Sequence, residues 1–286
     1  MTDLTAQRRF FAEEVQVVSN IDSAAVIEAL ATIHREQFLP AGPWMVRGET
    51  DMASAPRQTP DADPRHVYHN VAIAIDPARM LFNGAPSLLA MAIDRLNLQP
   101  GGRVLHVGAG TGYFTAIMGH CVGPMGRVVA LEVDGELAVT ATANLATMPW
   151  IEVRQGDASE PLAESFDAVL INAGVTHPLD GWLDCLTATG RLVIPLTATM
   201  PSSTSIGKGL LLLVTRTPAG TRFDVRPLAF VAIFSALGVR DEGINAELGR
   251  ALARSPFPRI QRLRRDAHAR TDACWLHSDR FCFSFS

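Results

Sequence analysis

Long apolar runs are missing from this 286-residue chain. No segment reaches the roughly 18 unbroken apolar residues of a membrane span, and the opening MTDLTAQRRFFAEEVQ mixes charges instead of building a signal-peptide core. The expectation is a cytoplasmic protein with no membrane partner. Cysteine is also scarce. Cys121, Cys185, Cys274 and Cys282 are the only four and form no C-x-x-C pair, which predicts reduced packing residues, no disulfide scaffold, no structural zinc site and hence no metal. An excess of positive charge is absent as well. A net charge of −4 argues against a broad nucleic-acid footprint. Lysine is almost absent, Lys208 standing alone against 24 arginines, a skew better assigned to genome composition than to function. Apolar residues are plentiful. At 48% of the chain, they are enough for one large α/β domain with additions, or two small ones.

The most informative stretch is Val104 to Phe114, VLHVGAGTGYF. A short β-type segment stops on three alternating glycines and restarts with helical periodicity. Gly108, Gly110 and Gly112 let the chain turn sharply and let bare backbone approach a ligand, while the following helix start offers unpaired N–H groups to an anionic group. The dinucleotide fingerprint needs G-x-G-x-x-G; here the spacing is G-x-G-x-G followed by Tyr113, which disfavours an NAD oxidoreductase and favours a methyltransferase loop. Val128 to Glu132 is a second strand-like run. It ends in an acid about 20 residues after the loop, where a carboxylate accepts ribose hydroxyls. Ile151 to Gln155 leads to Gly156, Asp157 and Ala158, another acid at a strand end, suited to an adenine amino group. Ala168 to Asn172 ends in small residues that leave room for the reacting groups. Singly, each acid reads more readily as a turn or cap residue than as a ligand; their order around the glycine loop points to a cofactor crevice.

Along the rest of the chain, Asp22–Ile33, Ser87–Leu96, Tyr113–His120 and Gly135–Leu145 read as helices, and Gly101–Pro195 alternates strand with helix, which implies parallel β/α/β winding. Pro40–Pro64, without sustained period, reads as a long surface loop or lid. Leu192–Pro195 is a strand, Pro201–Gly209 a polar loop, and Leu210–Arg216 with Phe223–Phe230 an antiparallel pair across Pro218–Gly220. Arg259–Arg270 reads as a basic helix with a solvated face. Ala273–His277 and Arg280–Phe285 form a hairpin about Ser278 and Asp279; this tail docks on its own domain or on a second subunit.

With these residues in place, the chain resembles the protein-L-isoaspartate O-methyltransferase family over roughly Ile27 to Val231. The supports are Glu28–Pro40, ending in R-E-x-F-x-P; Gly84-Ala85-Pro86 before a helix; the glycine loop with Tyr113; Glu132; Gly156-Asp157; and Gly190–Pro195, GRLVIP. The resemblance implies an α/β, Rossmann-like class I methyltransferase with a mostly parallel seven-stranded sheet and helices on both faces. It divides the chain into an N-terminal helical segment and lid (1–80), a cofactor domain (81–240) and a C-terminal extension (241–286). It implies S-adenosyl-L-methionine as cofactor and S-adenosyl-L-homocysteine as product. The expected cofactor residues are His106, Gly108, Ala109, Gly110, Thr111, Gly112, Glu132, Val133, Gly156, Asp157, Ala158 and Asn172. His106 stands where the family usually has an acid. Phe82-Asn83-Gly84 stands where it carries Thr-Ile-Ser, so the serine hydroxyl facing the substrate carboxyl is missing.

Methyl transfer is an in-line displacement, dominated by alignment and desolvation. A carboxylate acceptor, with a pKa of about 4, is already ionised at pH 7 and needs no base; a hydroxyl acceptor needs one. Asn83, His69 and Asn172 are the expected catalytic or acceptor-positioning residues. His69, His106 and His177 are alternative bases, or capping and packing residues, and Ser87 is a helix cap. The leading expectation is methylation of an aspartyl or isoaspartyl carboxylate in a peptide or protein. The alternatives are a small-molecule O- or N-methyltransferase and a binding module without turnover. A homodimer through the C-terminal extension is expected.

Overall fold

The computed structural model describes residues 3–48, 55–160, 163–200, 203–218, 222–254 and 259–286. In chain order its elements are α1 (Thr5–Ser19), α2 (Ala24–Thr32), β1 (Met45–Arg47), β2 (Arg57–Gln58), β3 (Ala72–Asp76), β4 (Leu81–Phe82), α3 (Pro86–Leu96), β5 (Arg103–Val107), α4 (Tyr113–Val122), β6 (Arg127–Glu132), α5 (Gly135–Asn144) and β7 (Ile151–Gln155). They continue with β8 (Phe166–Ile171), α6 (Asp180–Asp184), β9 (Leu186–Met200), β10 (Ser203–Arg216), β11 (Phe223–Phe234), α7 (Glu242–Arg254), β12 (Arg262–Arg264), β13 (Cys274–His277) and β14 (Cys282–Ser284). Two compact units account for the chain, Met1–Gly102 with Ala109–Gly156, and Arg103–Gly108 with Asp157–Ser286. No described helix is long and apolar enough to cross a membrane.

In the first unit, α1 packs on α2 and α3, and α2 on α4. The α1 stripe is Phe11, Ala12 and Val15, all fully buried. Ser23 caps α2 through its hydroxyl, which accepts the Val26 N–H, and the buried Asp94 carboxylate accepts the N–H groups of Asp22 and Ser23 just ahead of it. This is the ordinary remedy for the orphan donors of a helix start. β2, β1, β3 and β4 form an antiparallel sheet in that order, and β6 pairs with β7 in parallel. Expected Pro40–Pro64 loop therefore contains two short strands, with residues 49–54 outside the described set.

In the second unit, β5 runs parallel to β8 and β8 to β9. Antiparallel pairings then add β10, β11, β12, β14 and β13. Val169, Leu170 and Ile171 are all buried, the continuous apolar run of a strand covered on both faces. The sheet is thus mixed, with eight strands in this unit alone, and wider than the mostly parallel seven-stranded one expected. Two further readings are corrected. Within Pro201–Gly209, residues 203–209 belong to β10, paired to β9 and β11; residues 201 and 202, like 219 and 220 of the expected turn, lie outside the described set. Arg259–Arg270 holds β12 instead of a helix: Leu263 is buried and Arg262 and Arg264 are not, a period of two that the Ile260–Leu263 spacing disguises. The expected terminal hairpin is present, with Cys274 on β13 and Cys282 on β14. Because β12 and β13 occupy both edges of β14, the tail docks within its own unit.

Candidate active site

In the first unit the glycine loop and the end of β6 are joined through one side chain. Glu132 is 7% exposed. Its Oε2 accepts the Gly110 N–H at 2.7 Å and its Oε1 the Asp134 N–H at 3.1 Å. The loop is further fixed by Ala109 N–H to the Leu131 carbonyl at 3.2 Å and by Asn144 Nδ2 to the Thr111 carbonyl at 2.9 Å. Gly110 and Gly112 adopt φ of +56° and +96°. A Cβ on Gly112 would lie 2.9 Å from Leu145 Cδ1, so α5 packs against the bare loop. Burial pushes the Glu132 carboxyl above the usual carboxylate range, against the opposing pull of the Asp134 and Gly110 N–H groups. Each carboxylate oxygen keeps a lone pair beyond its backbone bond, enough for two further hydroxyl donors. Val133 is half-exposed, and Gly156, whose N–H bonds the Glu132 carbonyl at 3.0 Å, has open space where a Cβ would stand.

The acceptor candidate His69 sits on a segment tied down by a residue outside the expected site. Arg35, fully buried, donates to the carbonyls of Val67 (2.7 Å), His69 (3.1 Å) and Val71 (2.8 Å). Its guanidinium carbon lies 5.6 Å and 5.7 Å from the ring centroids of Phe11 and Tyr113. Burial lowers its pKa to about 10. The R-E-x-F-x-P string was the available signal. His69 itself is exposed. Asn83 is buried; its Oδ1 accepts the Ile73 N–H at 3.0 Å, and its Nδ2 has no hydrogen-bond partner among the described residues. Gly84 has φ of +84°, and a Cβ there would lie 3.0 Å from Leu89 Cδ2, so the backbone as well as the side chain departs from what a serine adopts. Ser87 does not cap α3. That position is Ala85, with Pro86 as the first helical residue.

In the second unit, Gly108 (φ +81°) ends β5 beside Asn172. The Asn172 N–H bonds the Val107 carbonyl at 2.8 Å and its Nδ2 the Gly108 carbonyl at 3.3 Å. A Cβ on Gly108 would stand 3.2 Å from the Asn172 carbonyl oxygen. His106, inside β5, is fully buried, and burial depresses its imidazole to about 3. Asp157 accepts the Ser159 N–H at 2.9 Å and lies against Gly238, where φ is +76° and a Cβ would meet Asp157 Oδ2 at 2.7 Å. The Ala158 carbonyl accepts from Trp182 Nε1 at 2.9 Å. His177 is buried, its Nδ1 2.8 Å from Thr176 Oγ1 and its ring stacked on Phe281; burial, then Arg280, lowers its pKa. At neutral pH His106 and His177 are packed neutral imidazoles.

Residues 49–206 match the family model described as protein-L-isoaspartate(D-aspartate) O-methyltransferase. The chain is 31% identical over 245 residues to the protein-L-isoaspartate O-methyltransferase of Methylorubrum populi, covering 83% of this chain and 99% of that protein. To the protein of the same name from Roseiflexus castenholzii it is 34% identical over 201 residues, covering 68% and 79%. A solved protein-L-isoaspartate O-methyltransferase aligns with a TM-score of 0.63 at 22% identity, covering 86% of this chain and 68% of that one. A structure of this kind from Plasmodium falciparum, in complex with S-adenosyl-L-homocysteine, aligns with a TM-score of 0.54 at 17% identity, covering 82% and 97%. The structural likenesses show a shared α/β fold with a large mixed sheet.

Proposed function

Since the chain belongs to the protein-L-isoaspartate(D-aspartate) O-methyltransferase family, we propose that it transfers a methyl group from S-adenosyl-L-methionine to an isoaspartyl carboxylate of a peptide or protein. The observation that carries the cofactor half is the buried Glu132 carboxylate, anchored by the Gly110 and Asp134 N–H groups with acceptor capacity to spare. Those residues fit a ribose diol. The cofactor supplies a methyl group activated on a sulfonium sulfur. Glu132 accepts the ribose hydroxyls, and the bare backbone of Gly108, Ala109, Gly110, Thr111 and Gly112 admits the amino-acid end. Val133, Gly156, Asp157, Ala158 and Asn172 are proposed as further cofactor residues on their places at strand ends in the chain, and His106 on its place inside β5, just ahead of the glycine loop.

The acceptor half needs no base, because an Asp-like carboxyl is ionised at pH 7. That agrees with His106 and His177 being packed and neutral. Asn83, with unpartnered Nδ2 donors, is proposed to hold the acceptor carboxylate; His69 and Asn172 are proposed to orient it. Calorimetric titration with S-adenosyl-L-methionine, followed in the same preparation by transfer of labelled methyl to an isoaspartyl peptide and to its aspartyl twin, tests both halves. Binding with transfer to the isoaspartyl peptide alone is the expected result. Binding without transfer removes the acceptor assignment, and no binding removes the cofactor assignment.

A further inference from the structure

The terminal hairpin gathers four metal-ligating side chains that the reaction proposed above does not use. One ligand atom from each of His268, Cys274, His277 and Cys282 lies within 4.8 Å of the others. Three of them are brought together by an irregularity in the hairpin. Cys274 pairs with Ser284, Leu276 with Phe283 and His277 with Cys282, which leaves Trp275 as an extra residue on β13. In an unbroken strand, Cys274 and His277, three apart, would point to opposite faces. One extra residue re-phases the strand, so both stand on the face of Cys282.

His268 reaches the same point from the segment after β12. Its Nδ1 lies 2.9 Å from the Asp266 carbonyl, and an N–H donated there leaves Nε2 as the lone-pair nitrogen, 3.8 Å from Cys274 Sγ. Asp266 is itself gripped by Arg264, whose Nε and Nη2 donate to its carboxylate at 2.9 and 2.5 Å. His277 Nδ1 is buried and has no hydrogen-bond partner among the described residues. The two imidazole rings meet edge to face with centroids 4.8 Å apart.

We infer that His268, Cys274, His277 and Cys282 bind one zinc ion in a closed, structural site. Two thiolates and two imidazoles are a tetrahedral zinc donor set, and four protein ligands leave no position for a substrate. With Zn–S of about 2.3 Å and Zn–N of about 2.0–2.1 Å, tetrahedral ligand atoms lie about 3.3–3.8 Å apart. The His268–Cys274 separation already meets this, and small side-chain rotations close the rest. The carbonyl behind the His268 imidazole is the usual outer partner of a ligating histidine, fixing its tautomer and orientation. A Cys274–Cys282 disulfide would account for neither histidine. Binding is balanced by loss of the two thiol protons to solvent as two Zn–S bonds form, so it couples to folding of the tail. The ion would clamp hairpin β13–β14 to the segment leaving β12.

The test uses the full chain, purified reduced. Metal content by mass spectrometry is expected at one zinc per chain, and Co(II) added to chelator-stripped protein is expected to give intense tetrahedral bands with thiolate-to-cobalt charge transfer. Cys274→Ser and Cys282→Ser are each expected to abolish those charge-transfer features in part and to weaken zinc binding at least about tenfold; the double variant loses the ion. Absence of both retained zinc and cobalt–thiolate bands in the reduced wild-type chain overturns the site, as does full zinc content in the double variant. If the variants do not fold, the wild-type cobalt titration decides alone.

Discussion

Glu132→Gln is the sharpest test of the cofactor site, because it keeps the shape of the side chain and removes its charge and one acceptor oxygen. The wild-type carboxylate has about four lone-pair sites, two of which serve Gly110 and Asp134; the remainder are the ones proposed to receive the ribose diol. A hydrogen bond to a charged acceptor contributes about 1.5–3 kcal/mol net. Losing one such bond weakens cofactor binding by about 10- to 150-fold, at 1.4 kcal/mol per factor of ten. Alanine would be a poorer probe: it leaves two backbone N–H groups without partners and confounds loop collapse with lost binding. Calorimetry with S-adenosyl-L-methionine and S-adenosyl-L-homocysteine reads the effect, and a thermal melt of the same samples controls for stability. An affinity within threefold of wild type, with an unchanged melt, refutes the ribose assignment and the proposal built on it.

Three other perturbations have definite outcomes. Arg35→Ala removes the donor from three carbonyls, of which only that of Val67 is bonded in a fully buried setting, so the roughly 1–3 kcal/mol cost of one buried unsatisfied acceptor predicts a loss of about 1–3 kcal/mol in denaturant unfolding; no measurable loss would mean that water replaces the guanidinium at no cost. Gly238→Ala forces φ of +76° on a Cβ that meets Asp157 Oδ2 at 2.7 Å; cofactor affinity is expected to fall on the order of tenfold if Asp157 is a ligand, and unchanged calorimetry removes that assignment. His106, depressed to about 3 when folded and near 6.5 when unfolded, takes up a proton only in the unfolded chain across that window. Its contribution to stability is therefore complete above pH 6.5 and falls by about 1.4 kcal/mol per pH unit below it. His106→Gln should flatten the stability slope between pH 6 and 4, and identical slopes would show that the imidazole is not buried neutral.

Local signals carry the reading of the cofactor half of the site. The switch from strand to glycine to helical period at Val104–Phe114, and the acid closing β6, depend on residues near one another in sequence. What stayed hidden depends on distant partners. Ser203–Gly209 is polar and rich in turn residues, yet it forms strand between β9 and β11; a Cβ on Gly209 would lie 1.9 Å from the Leu196 carbonyl oxygen, so its glycine marks close backbone approach and not a turn. In α1, the buried stripe of Phe11 and Val15 is blurred by exposed Phe10, Val17 and Val18, which breaks the period that betrays a helix.

The same distinction applies to the cysteine spacing. His268-x5-Cys274-x2-His277-x4-Cys282 contains no C-x-x-C, and a strict strand period would separate Cys274 from His277; only the extra Trp275 in the register with β14 brings them to one face. Arg240 makes the point for a single residue. It donates to the carbonyls of Gly174 and Thr197, to Thr197 Oγ1 and to Asn245 Oδ1, tying the end of β9 and the start of α7 to the segment after β8. Gly174 and Thr197 lie far from it in sequence, and only Asn245 is near. A residue's proposed chemistry is readable from its own neighbourhood when the pattern around it carries the argument, as at Glu132; when the partner is supplied by topology, as at Arg35, Arg240 and the terminal histidines, only the fold reveals it.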